Sequence, residues 1–90
     1  MTYKILKRVS LEEKHIPTGE TNHFFGAKLL PKPNKLIIAR FDEDPEVYLL
    51  YIDADGEEMT DTLHDSIEDA LKQAEREFTV KPFEWKDAFE

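Results

Sequence analysis

Apolar and polar residues change their spacing along these 90 residues, and the changes mark the elements. Residues 3 to 9 alternate, with Tyr3, Ile5, Lys7 and Val9 against Lys4, Leu6 and Arg8, which predicts a first strand with a basic, partly buried face. Residues 10 to 22 have no period and contain Pro17 and Gly19, so they read as a long, mobile loop. The next predicted strand runs from His23 to Leu30. Pro31, Lys32, Pro33 and Asn34 form a turn, and Lys35 to Phe41, β-branched and apolar, returns as a strand. A turn over Asp42 to Pro45 leads to Val47–Ile52, where Asp44 precedes a proline and is biased away from helix. Asp55-Gly56 is a hairpin signal, and Glu57 to Leu63 comes back with Met59, Asp61 and Leu63 against Thr60 and Thr62.

After Leu63 the period changes from 2 to 3.6. Ile67, Ala70, Leu71, Ala74 and Phe78 fall on one stripe, while Glu68, Asp69, Lys72, Gln73, Glu75, Arg76 and Glu77 fall elsewhere, which predicts a helix over residues 66 to 78. Asp65 or Ser66 can cap its first turn, where acids also complement the helix dipole. Pro82 prevents continuation, and Phe83, Trp85 and Phe89 make an aromatic tail.

The predicted fold is α+β: an antiparallel β-meander of four or five strands with one C-terminal helix packed on one face, in a single domain spanning residues 1 to 90. A chain this short buries only somewhat more than about 60% of its unfolded surface, so its core cannot divide. Five strands at about 4.8 Å spacing make a sheet roughly 24 Å wide, and one helix covers about 10 Å of one face. In the central run Tyr48, Leu50 and Ile52 oppose Val47, Leu49 and Tyr51, so both faces are apolar. Four candidates remain to cover what the helix leaves: the tail around Trp85, the loop of residues 10 to 22, a second copy in a homodimer, or another partner.

Charge sharpens the picture. The net charge is −8, with no lysine or arginine between Phe41 and Leu71 and twelve acids between residues 42 and 69. Most bases lie before residue 41, so the molecule is an electrical dipole, a property that bears on steering and partner choice. The negative total opposes nucleic-acid binding, and the lysines suit exposed strand edges. The absence of cysteine excludes thiol chemistry and favours a reducing compartment, and no apolar run has the length of a membrane span or signal core; the expectation is a cytoplasmic protein.

Few constellations carry chemistry. Asp53-Ala54-Asp55-Gly56-Glu57 has the alternating oxygens of a calcium loop, but Glu58 stands at its sixth position and His64 at its twelfth, so a hairpin turn explains it better. His15, His23 and His64 match no metal spacing, and neither a phosphate loop nor a nucleophile motif is present. His64, between Asp61 and Asp65 at the strand-to-helix junction, is the one catalytic-type candidate, with Asp61 as its partner, though a junction histidine hydrogen-bonded to backbone or to Asp61 is the favoured reading. No cofactor, metal or enzymatic activity is expected.

The run Asp61-Thr62-Leu63-His64-Asp65-Ser66-Ile67-Glu68-Asp69-Ala70, continuing through Gln73-Ala74 and Glu77-Phe78 to Trp85, resembles a C-terminal signature of small uncharacterised bacterial proteins. In these, D-T-x-H ends the last strand and S-x-E-x-A opens the helix. The resemblance implies an antiparallel sheet with one C-terminal helix, and some proteins of this kind look like the immunity proteins that accompany bacterial toxins. The function expected is therefore a small interaction module for a basic protein, captured by Asp42, Glu43, Asp44, Glu46, Asp55, Glu57 and Glu58. The alternative is a homo-oligomeric structural protein; neither nucleic acid nor membrane is an expected partner.

Overall fold

A computed structural model describes residues 3–19, 22–42 and 44–88. The elements in chain order are β1 (Tyr3–Ser10), β2 (Phe24–Phe25), β3 (Lys28–Leu29), β4 (Lys35–Phe41), β5 (Val47–Ile52), β6 (Glu58–His64), α1 (Ile67–Phe78), a 3-10 turn (Pro82–Glu84) and β7 (Lys86–Asp87). Five strands form one antiparallel sheet in the order β6-β5-β4-β1-β7, with α1 against one face, and the fold is α+β. β4, β5 and β6 are a meander of sequential neighbours.

Three departures from the sequence reading set up everything that follows. His23 to Leu30 is not a strand of the sheet. β2 and β3 pair with each other, turning at Gly26, whose φ of 63° favours glycine, and the pair projects as a separate short arm. The fifth strand comes instead from the tail: Lys86 and Asp87 pair with Arg8 and Lys7. Phe89 and Glu43 lie outside the described residues. Finally, β1 does not alternate throughout. A bulge at Leu6, between the pairs Ile5↔Ala39 and Lys7↔Ile38, puts Tyr3 and Ile5 on one face and Lys7 and Val9 on the other.

The segment after β1 is anchored rather than loose. Leu11 N–H donates to Asn34 O at 2.8 Å, and Thr18 N–H donates to Glu77 O at 2.8 Å while its hydroxyl donates to Arg76 O. Residue 18 thereby satisfies two carbonyls that the C-terminus of α1 leaves free. His15, 1% exposed, accepts from Glu12 N–H through Nδ1, so Nε2 carries the proton and donates to Glu84 Oε1 at 2.9 Å. Glu84 also receives Lys14 Nζ and the backbone N–H of Lys81, each at 2.8 Å, locking loop to tail.

Ser66 caps α1 by accepting from Asp69 N–H at 3.2 Å, and Thr79 ends it in the left-handed region. Ala70, Ala74 and Phe78 are buried, and Ile67 and Leu71 pack against them as the stripe predicts. They meet Val47, Leu49 and Tyr51 of β5 and Leu36 and Ile38 of β4; Val80, Trp85 and Leu11 complete the layer over β1 and β4. The tail and loop thus cover what the helix leaves on its own side. The opposite face is a second cluster of Ala39, Leu50 and Ile52 with Ile37 and Tyr48, all from β4 and β5.

Candidate functional site

Glu77 is 2% exposed, an unusual position for a carboxylate. It follows Ala70 by seven residues and Ala74 by three, so it belongs to the buried stripe of α1 rather than the polar face to which its charge assigns it in the sequence. Burial is tolerable because donors converge on it from three elements. Tyr51 Oη on β5 and Gln73 Nε2 on α1 both donate to Oε2, the latter at 2.9 Å, and His23 Nε2, at the base of the arm, meets Oε1 at 2.8 Å. Burial, followed by the hydrogen bond to Glu77, pushes the Tyr51 phenol far above its ordinary value, so it remains a donor across the physiological range. The His23 ring also lies against Tyr51, with centroids 4.5 Å apart.

Above these groups lies a cleft of about 250 Å³ between the arm, the start of β6 and the end of α1. Leu29, Leu30, Pro17, Pro31, Pro33, Met59 and Phe78 form apolar walls, and Asn22, His23, Lys32, Tyr51, Thr60 and Glu77 supply polar groups. The arm is held at its base by Leu30 N–H donating to His23 O at 2.7 Å. An apolar concavity with a few convergent polar groups is the usual form of a binding site. The bulge in β6, where the register skips Met59 between the pairs Tyr51↔Thr60 and Ile52↔Glu58, aims both Met59 and Thr60 at the cleft.

The residues singled out by sequence are dispersed. Asp42, Asp44 and Glu46 are exposed around the β4–β5 turn; Asp42 and Asp44 border a recess with Lys4 and Arg40. Asp55 and Glu57 are exposed at the β5–β6 turn, on the other end of β5 and beside the cleft wall. Asp53 is spent within that turn: its Oδ1 accepts from Asp55 and Glu57 N–H, both at 2.9 Å. Glu58 lies on the face away from α1, next to Asp61, whose carboxyl raises its pKa. The six described partner-binding candidates therefore form no common patch.

Asp61 and His64 are not brought together. Asp61 pairs with Leu50 and lies on the open face, whereas His64 pairs with Val47 on the helix face. The three-residue separation along a strand dictates this. His64 Nε2 is hydrogen-bonded to Thr62 Oγ1 at 2.7 Å, and burial lowers its pKa. Among the described residues there is no helix long and apolar enough to cross a membrane.

Comparison with known proteins finds no matching family model, no matching curated protein and no matching solved structure.

Proposed function

We propose that this chain is a non-catalytic, cytoplasmic interaction module that captures a basic segment of another protein. An apolar side chain of that segment occupies the cleft under the arm, and neighbouring lysines or arginines face Asp55 and Glu57. The cleft is the observation that carries the reading: its walls are apolar, and the acidic β5–β6 turn runs directly into Met59 and Thr60. Glu77, His23, Tyr51 and Gln73 are spent on one another, so they favour a fixed binding floor over a reacting group. The cysteine-free composition supports the compartment. An immunity-like role, with a nuclease-like toxin as the basic partner, is one form of this reading.

The test uses short peptides that place one leucine or phenylalanine between lysines, with glutamate-flanked counterparts as controls. Lysine-flanked peptides are expected to shift the amide resonances of Leu29, Leu30 and Met59. Asp55→Asn with Glu57→Gln should slow association, and the amides of Asp44 and Glu46 should leave it unchanged. Salt should also slow it, as the Debye length contracts from about 10 Å at 0.1 M to about 3 Å at 1 M. Equal response to both peptide sets, or none to either, rejects the reading.

A further inference from the structure

The base of the cleft has a hydrogen-bonding polarity of its own. Tyr51 has one hydroxyl hydrogen, and it is spent on Glu77 Oε2. His23 meets Glu77 Oε1 through Nε2, and a carboxylate only accepts, so Nε2 carries the proton. Nδ1 of the neutral ring is then left with a lone pair, the tautomer being fixed by Glu77. His23 lines the cleft, its side chain is 18% exposed, and Nδ1 makes no hydrogen bond among the described residues. Glu77 Oε1 accepts from His23, and a carboxylate oxygen has a second lone pair. The base therefore presents acceptors without a donor. Asn22 and Lys32, which can donate, are exposed and border the mouth, where Lys32 Nζ is already engaged with Glu12 O. The Thr60 hydroxyl on the wall can act either way.

The walls suit a flat group. Pro17, Pro31 and Pro33 present rigid pyrrolidine rings, Met59 a polarisable thioether and Phe78 an aromatic ring. At about 250 Å³ the cleft is smaller than the roughly 300–1,000 Å³ of a pocket for a whole small molecule, so it holds one bulky side chain. We propose that this side chain is the indole of a tryptophan, with its N–H donated to His23 Nδ1. The inference deepens the reading above and rests on it for the position of the site. Indole has one donor and no hydrogen-bond acceptor, which matches a base that offers acceptors only. Leucine or phenylalanine in the same place would strip Nδ1 of water and leave it without a partner, the cost of a buried hydrogen bond left unmade. A carboxylate or phosphate would bring acceptors to acceptors. A phenol also donates, but its oxygen finds no donor at the base. Glu77 is then a positioning residue: it holds the His23 proton on Nε2 and so keeps Nδ1 open to the ligand.

Titration of the full chain with 3-methylindole and with its isomer 1-methylindole tests it, since the two are equal in size and only the first has an N–H. The 3-isomer, which is the tryptophan side chain itself, should shift the amide resonances of Leu30 and Met59. It should bind roughly 10-fold more tightly than the 1-isomer, the difference made by one buried hydrogen bond. In nitrogen spectra of the imidazole it should move the Nδ1 resonance of His23 and leave Nε2, held by Glu77, in place. Equal affinity of the isomers, binding that leaves Nδ1 unmoved, or no binding of the 3-isomer overturns the inference. If the 3-isomer fails while lysine-flanked leucine or phenylalanine peptides bind, only the indole assignment falls. If the 3-isomer binds as expected while lysine- and glutamate-flanked peptides respond alike, the basic-segment reading falls and the indole site stands.

Discussion

The two faces of the sheet are built from the same strands, and they differ in what buries them. On the helix side, Val47, Leu49 and Tyr51 lie under α1 and Phe78, with Val80 and Trp85 extending the layer over β1 and β4. On the other side, Leu50 is 5% and Ile52 6% exposed although every member of their cluster comes from β4 and β5. Among the described residues, the members of that cluster come from two neighbouring strands and none comes from α1 or the tail. Residues with similar exposure therefore have different surroundings: one set packs against a helix and the tail, the other belongs to a small cluster drawn from two strands.

The largest expected effect of this difference is on core truncation. Leu49→Ala should cost about 2–5 kcal/mol, because the lost contacts come with an enclosed cavity. Leu50→Ala should cost only about 1–2 kcal/mol in dilute solution, where the space opens to water and only the transfer part is lost. Denaturant unfolding of both at low concentration checks this; equal costs would mean that a packed layer already covers the open face.

A smaller contrast concerns the two tyrosines of β5. Tyr51→Phe removes a donor from the buried Glu77 carboxylate and should cost about 1–3 kcal/mol. Tyr48→Phe, on the open face, should stay within about 0.5 kcal/mol. The same unfolding measurement decides it, and a neutral Tyr51→Phe would show that Glu77 is satisfied without the phenol.

The smallest effect is confined to acid. The Lys14 ammonium, then the Lys81 amide, hold Glu84 at a pKa of about 2, below its ordinary 4.5. Because the folded pKa is the lower one, the stability it contributes is present in full above pH 4.5 and is lost as pH falls toward 2. Glu84→Gln should flatten the pH dependence of the urea midpoint across that window and leave the open face untouched. An unchanged slope would remove this lock between loop and tail from the account of the closed side.

The candidate site was legible only in part. Glu77 sits seven residues after Ala70, so helical geometry alone assigns it to the buried stripe, but its charge argues for the polar face, and a lone sequence does not name the donors that reverse that argument. His23 was hidden within an apparent strand, and the acids of the two turns, close in sequence, are separated by the length of β5. Asp61 and His64 look like neighbours on paper and point to opposite faces.

What the sequence by itself determined was local: the stripe and cap of α1, the apolar runs of β4 and β5, the alternation of β6, the turn at Asp55-Gly56, and the concentration of acids after Phe41. These follow from period and turn chemistry, which act over a few residues. Tertiary structure alone decided that Phe24 to Leu29 leaves the sheet as an arm, that a bulge at Leu6 reverses the faces of β1, and that the tail supplies the fifth strand. It also decided that His15 and Glu77 are buried with partners far along the chain. Each of these depends on which distant segment arrives to satisfy a hydrogen bond or cover a surface, and periodicity carries no record of that.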